Sequence, residues 1–362
     1  MPSTRPRLTP AIADVRRAVR LSLARWSIEN RESDSATPAP SEPRSLGNQP
    51  LVLVALSGGP DSLALAAATA FEAPRAGLRA GAVIIDHGLQ AGSADAAAQA
   101  SVHATALGLV PVIVSKVLVG SGGGPEAAAR SARYDALDSA AADLGAVAVL
   151  LGHTLDDQAE TVLLGLARGS GTRSLSGMAA EAGLYDRPLL RLRRATTVQF
   201  CKDSGLKPWN DPQNADTTFA RVRARATVLP VFERELGPGI AEALARSADQ
   251  LREDSDALDQ LADELAVDLA EHSEAGISLS VHALEVNPAA LRQRLIRIAA
   301  FAEFGVSLGR SHTLEIAKLV TNWHGQGAVD VPGIKVERRG PRIYFEATSG
   351  AANEREHPSG IQ

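Results

Sequence analysis

Residues 51–62 read LVLVALSGGPDS. The unbroken apolar run Leu51 to Leu56 predicts a strand buried on both faces, and a helical pattern, Leu63, Leu65, Ala66 and Ala67, begins directly after Ser62. The order is therefore strand, glycine loop, helix. Such a loop suits phosphate, because glycines let the backbone approach an anion and the N–H groups at a helix N-terminus point at it. Ser57, Gly58, Gly59, Pro60, Asp61 and Ser62 are the candidate phosphate-binding residues, with two hydroxyls among them. Asp61 would repel phosphate unless a cation lay between them, so it is also a candidate Mg²⁺ ligand. The loop lacks the Gly-Lys-Ser/Thr of a Walker A and the Gly-x-Gly-x-x-Gly spacing of a dinucleotide fold.

Placed after a strand, SGGPDS resembles the pyrophosphatase loop of the N-type ATP-pyrophosphatase (PP-loop) superfamily. That resemblance implies ATP, cleaved between its α and β phosphates to adenylate a carbonyl oxygen. The flanking sequence extends the pattern. Gly81 to Ile85 form a second apolar run ending in Asp86-His87-Gly88-Leu89, and further strand candidates are 110–114 and 147–151. Helical segments at 94–107 and 125–144 separate them, which predicts an α/β fold with a doubly wound parallel sheet. Ligands in such sheets lie beyond the carboxyl ends of the strands. Asp86 and His87 stand at such an end, where an adenine would lie, although a loop histidine satisfied by a hydrogen bond explains His87 equally well. Gly120 to Gly124 reads as a flexible connection or lid.

At 362 residues, 45% of them hydrophobic, the chain can fill two cores. Four regions are expected: an N-terminal helix and Pro/Ser linker over 1–48, a catalytic domain over 49–232, a mainly helical domain over 238–347 and a disordered tail over 348–362. The amphipathic helix within 9–29 either packs on the main domain or touches RNA through its arginines. From Gly239 to His272 an apolar stripe recurs at helical spacing, a second helix is expected from Pro288 to Phe304, and short strands with turns at Pro332-Gly333 and Gly340-Pro341 end the ordered chain. Cys201 is the only cysteine, which argues against disulfides, a zinc knuckle or a cysteine-ligated cluster within the chain. No run reaches membrane length and MPSTRPRLTP lacks a secretory h-region, so no membrane association and a cytoplasmic location are expected. The net charge of -5 gives no global sign of nucleic-acid binding. Local clusters must supply it.

The second informative stretch is 152–161, GHTLDDQAET, between the fourth strand and a helix. Thr154 and Asp157 have capping-box spacing, which accounts for one carboxylate. His153 with Asp157, and Asp156 with Glu160, are each four apart, so three carboxylates crowd one helix start. Crowding of that kind calls for a cation, Mg²⁺ or a substrate ammonium. Arg130, Arg133 and Tyr134 share one face of the preceding helix, and Arg187 to Arg225 form a basic stretch within an acidic protein.

With these pieces the resemblance narrows. SGGPDS, DHGL, EAAARSARYDAL, GHTLDDQAET, RGSGTRSLSGM, RPLLRL, WNDPQN and ARVRARATVLP stand in the order of the bacterial tRNA(Ile)-lysidine synthetase family, over residues 50 to 232. The resemblance implies ATP-dependent joining of free L-lysine to the wobble cytidine of a CAU-anticodon tRNA(Ile), through an adenylated cytidine. The chemistry of the residues agrees: Asp61 is a candidate Mg²⁺ ligand with Asp157 a candidate to share the ion, and Asp156, Glu160 and His153 are candidates to hold the lysine ammonium and accept its proton, so that Asp61, His153, Asp156, Asp157 and Glu160 form the candidate catalytic set. Arg130, Arg133, Arg191, Arg194, Arg221, Arg223 and Arg225 become candidates for tRNA phosphates. A homodimer is a possible assembly. One position departs from the family, Val222 standing where an asparagine is usual. The competing readings are another PP-loop tRNA-modifying enzyme such as a thiolase, poorly served by a lone Cys201, and a non-catalytic nucleotide- or tRNA-binding module.

Overall fold

A computed structural model describes residues 8–27, 49–88, 92–117, 125–169, 171–273 and 276–348. The expected linker between the N-terminal helix and the first strand, the Gly120–Gly124 lid and the tail lie outside these residues, apart from single positions at their edges. The chain divides into two compact units, Met1–Gln250 and Leu251–Gln362.

In the first unit, β1 (Leu51–Ala55), β2 (Arg79–Asp86), β3 (Val112–Lys116), β4 (Ala146–Leu150), β5 (Glu181–Ala182) and β6 (Tyr185–Asp186) form one sheet in the order β3-β2-β1-β4-β6-β5. All neighbours run parallel except the β5–β6 edge pair. Successive residues of β1 serve opposite faces, as the period of two requires. Val52 and Val54 join α2 (Pro60–Glu72) and α3 (Ser93–Ala106) in one core, while Leu51, Leu53 and Ala55 join α4 (Pro125–Leu144) in the other. This is the expected doubly wound arrangement. The chain leaves β1 towards β2 on one side and towards β4 on the other, which puts the switch point, and the loops after β1 and β4, at the carboxyl edge.

The N-terminal helix α1 (Pro10–Ala24) belongs to the first core, with Val15, Val19 and Leu23 fully buried. Two of its three arginines pair with protein. Arg16 and Arg20 donate to the two oxygens of buried Glu72 at the end of α2, at 2.7 and 2.9 Å. Just beyond the helix, Arg25 and Trp26 donate to buried Asp186 at 3.0 and 2.9 Å. Packing on the main domain accounts for the apolar face of this helix.

Two further helices frame the site. α5 (Leu155–Ala167) follows β4, and α6 (Arg194–Asp203) follows β6. A helical run over 220–235, including a π-turn at Ala224–Val228, packs Ala224 and Leu229 on Leu155, Ala159 and Leu163 of α5. Val222, the departure from the family pattern, is buried there.

In the second unit, α7 (Ile240–Leu269), which begins in the first unit, leads into an antiparallel sheet ordered β7-β8-β11-β10-β9. Its strands are β7 (Ala270–Ser273), β8 (Gly276–Ser280), β9 (Val329–Val331), β10 (Ile334–Arg339) and β11 (Arg342–Ala347). With α8 (Val281–Val286), α9 (Ala289–Phe304) and α10 (Arg310–Thr321) it encloses a core of Ile277, Leu279, Leu295, Ile296, Ile316, Ile343 and Phe345. The expected C-terminal helices and strands are present, and β7 and β8 enlarge the sheet beyond the sequence expectation. Among the described residues no helix is long and apolar enough to cross a membrane.

Candidate active site

The glycine loop leaves β1 and caps α2 through Gly59, with Pro60 and Asp61 in the first turn. Ser62 ties the loop to itself: its hydroxyl accepts from the Ser57 amide at 3.2 Å and donates to the Gly59 carbonyl at 3.1 Å. Gly58 has φ +82°, a conformation a side chain resists, and its carbonyl accepts the Trp209 amide at 2.9 Å. The loop after β4 comes equally close. A Cβ on Gly152 would stand 3.1 Å from the Ser62 backbone, so glycine lets the two loops meet.

Beside them, at the ends of β1 and β2, lies an open cavity of about 160 Å³. Ser57, Asp86, His87, Arg133 and Trp209 contribute to its wall, together with the apolar Val83 to Ile85. Asp86 is buried and accepts the Gly88 amide at 3.0 Å, which holds its carboxyl below the ordinary range together with the Ser93 hydroxyl, the larger cause. His87 is neutral, its pKa lowered by burial and then by Arg133, and its buried Nδ1 has no hydrogen-bond partner. Arg133 is itself pushed down, by burial first and by Arg130.

The acidic stretch 153–160 gathers a different set. The capping box forms, and it uses one oxygen of Asp157: Oδ2 accepts from the Thr154 amide at 2.8 Å and from its hydroxyl at 2.7 Å. Oδ1 is left for the site. There Arg194 places its guanidinium among three carboxylates, with Nε 3.1 Å from Asp61 Oδ2, Nη2 2.7 Å from Asp157 Oδ1 and Nη1 3.4 Å from Glu160 Oε1. Arg225 donates to Glu160 at 2.7 Å, and Arg221 Nε lies 3.6 Å from its other oxygen. Glu160 is fully buried.

Burial raises the Asp61 carboxyl, with Asp157 adding to the rise, against a hydrogen bond from Thr197 and the charge of Arg194. Burial also acts to raise Asp157, but Arg194 and the Thr154 donors bring it below the ordinary range. Arg194 is held charged by the three carboxylates in spite of its burial. His153 is neutral, its pKa taken down to about 3 by burial, and its Nδ1 is a second buried nitrogen without a partner.

Several sequence expectations change here. The cation answering the crowded carboxylates is supplied by the chain itself, so Arg194, Arg221 and Arg225 face carboxylates rather than offering free charge to tRNA phosphate. Arg223 is exposed but donates to the Thr217 and Thr218 carbonyls, both at 2.7 Å. Arg130 and Arg191 remain exposed, Arg130 over the Tyr134 ring and Arg191 3.7 Å from Asp249. Asp156 turns from the cluster to anchor α6, accepting the Arg194 amide at 2.7 Å and pairing with Arg193 at 3.2 Å.

Thr197 and Arg193 were not legible as site residues. The only signal was helical spacing, Thr197 standing three residues after Arg194. Cys201 is buried, hydrogen-bonds the Pro60 carbonyl at 3.4 Å and is pushed up to about 12 by burial and then by Asp61, which makes it a poor nucleophile.

Hard carboxylate oxygens are the protein donors that Mg²⁺ takes. Among the described residues no three His, Cys, Asp or Glu side chains enclose a metal on their own. Asp61 and Asp157 nevertheless present hard oxygens to one shared cation beside the glycine loop, and Mg²⁺ commonly takes one or two carboxylates and completes its shell with phosphate and water. The residues fit.

The PP-loop domain family matches residues 37–232. A tRNA(Ile)-lysidine synthase of Leifsonia xyli subsp. xyli is 57% identical over 330 residues, 91% of this chain and 98% of that protein. One of Streptomyces coelicolor is 51% identical over 310 residues, 83% of this chain and 86% of its own. Among solved structures, the U34-tRNA thiolase NcsA from Methanococcus maripaludis with its [4Fe-4S] cluster covers 67% of this chain and 80% of its own at TM-score 0.52. At 17% identity that likeness concerns the fold alone.

Proposed function

Because the chain belongs to the tRNA(Ile)-lysidine synthase family of PP-loop proteins, a group of ATP-using ligases that form lysidine on tRNA(Ile), we propose a division of labour among its site residues. The observation that carries it is the convergence of Asp61, Asp157 and Glu160 on a single cation beside the glycine loop. ATP lies with its adenine against the Val83–Ile85 wall near His87 and its phosphates over Ser57–Ser62, where the α2 N-terminus favours negative charge. Asp61 and Asp157 would hold Mg²⁺, which offsets charge on the phosphates when bound.

Cytosine O2 is a poor leaving group, so it is activated by attack on the α-phosphate with loss of pyrophosphate. The free lysine is the nucleophile. Its ε-ammonium is held by Glu160 with Asp157 and must lose a proton before attacking C2 and displacing AMP. His153, neutral and with an open nitrogen, orients the amine by accepting a hydrogen bond from it directly or through water, and the proton passes to solvent. Asp156 serves the reaction by fixing the start of α6. Exposed Arg130, Arg191 and Arg223 contribute phosphate contacts to the CAU-anticodon tRNA, and the enzyme works in the cytoplasm.

The test is incorporation of radiolabelled lysine into an unmodified tRNA(Ile) transcript with a CAU anticodon. Label that requires Mg-ATP and disappears when the wobble cytidine is replaced supports the reading. Pyrophosphate release without label would keep adenylation and reject lysine as the nucleophile.

A further inference from the structure

The three carboxylates assigned to cations are already answered by Arg194, and with Arg221 and Arg225 alongside them the cluster carries no net charge. A divalent ion held by Asp61 and Asp157, and an ammonium held by Glu160 with Asp157, both need carboxylate oxygens that the Arg194 guanidinium now occupies. Arg194 is the guanidinium that both would displace. Glu160 is closed off, with 0% of its side chain exposed, whereas Arg194 and Asp61 keep 21% and 19%, so the open side of the cluster lies where these two meet. Arg194 is also the arginine that touches the glycine loop, through Asp61, and a guanidinium binds phosphate oxygens as readily as carboxylates. Its backbone amide stays anchored on Asp156 at 2.7 Å, so the side chain can swing without moving α6.

We propose that Arg194 is a displaceable internal cation: it holds Asp61, Asp157 and Glu160 until Mg-ATP and lysine bind, then exchanges its carboxylate partners for the phosphates of ATP. The inference rests on the proposed roles of these carboxylates, and it makes Arg194 the residue that couples nucleotide arrival to opening of the lysine site. Lysine then meets the Asp157 and Glu160 oxygens that Arg194 has left only when ATP is in place, Glu160 keeping Arg225.

The test measures binding of Mn²⁺, as a probe for Mg²⁺, by the electron paramagnetic resonance of the free ion, with full-length protein and no nucleotide. Arg194→Gln is expected to bind Mn²⁺ at least tenfold more tightly than the wild type, and adding Asp61→Asn to it should remove the gain. Arg194→Lys keeps the charge but reaches fewer carboxylates, so it should fold and show a smaller gain of about threefold, which decides the matter should Arg194→Gln prove unfolded. The KM for ATP should rise about tenfold in Arg194→Gln. Mn²⁺ affinity equal to or below that of the wild type in the folded variants overturns the exchange, as does an unchanged KM for ATP. Failure of lysine incorporation in the wild type would reject lysine as substrate and leave the Mn²⁺ result to judge Arg194 separately.

Discussion

Two neighbouring regions of the first unit differ in how far the chain satisfies its own polar groups. In the cavity at the ends of β1 and β2, His87 keeps a buried nitrogen without a partner and Arg133 faces open space. In the cluster between α2, α5 and α6, every carboxylate meets a guanidinium. Unpaired buried polar atoms are costly unless something outside the protein answers them, so the cavity is built to receive a ligand with little rearrangement. The carboxylates and guanidiniums of the cluster are matched as they stand, with His153 Nδ1 the open atom beside them, so a cation binding there must exchange with a guanidinium. On the proposed roles, the first region would set affinity and the second order.

The comparison breaks most sharply at Asp61, which joins the cluster to the glycine loop beside the cavity. Asp61→Asn should lower tRNA-dependent pyrophosphate release by about 10³-fold, as loss of a group that organises developing charge does, and leave tRNA binding within about twofold. Near-normal release would remove Asp61 from the chemistry. On the cavity side, His87→Ala should raise the KM for ATP by about tenfold with kcat within about threefold, the pattern of lost uniform binding. A fall in kcat alone would place His87 among the reacting groups instead.

His153 supplies a pH test. Its folded pKa of about 3 lies below the ordinary 6.5, so the unfolded chain takes up the proton first as pH falls. Stability from this group is therefore full above pH 6.5 and declines from there down to about pH 3. Urea unfolding of His153→Asn over this window should show a shallower loss of stability than the wild type, and parallel curves would contradict the neutral buried state. The smallest effect belongs to Cys201. Cys201→Ser should keep lysine incorporation within about twofold, since the thiol is buried and protonated. A dead variant would revive sulfur chemistry.

Much of this was legible in the sequence because its signals are local. The apolar run 51–56 with its glycine loop, the alternation of strands and helices, and the Thr154–Asp157 cap each lie within a few residues, and each appears in the structure. The pairing of Arg194 with Asp61 spans 133 residues and has no periodicity to announce it. The basic stretch therefore looked like an RNA surface, and charge counting along the chain could not reveal that Arg194, Arg221 and Arg225 turn to carboxylates. The same limit explains Asp156, whose carboxylate reads as catalytic beside Asp157 until α6 arrives to be capped by it. Strands β7 and β8 are short, and the first continues directly from a charged helix, so no turn residue marks the change.

The most direct test of the account separates adenylation from lysine transfer in one variant. In Glu160→Gln, pyrophosphate release with ATP and the CAU-anticodon tRNA, measured without lysine, is expected to stay within about fivefold of the wild type, while lysine incorporation falls at least 100-fold. Equal loss of both activities, or undiminished incorporation, would contradict the assignment of the carboxylate–arginine cluster to lysine and of the loop and cavity to ATP.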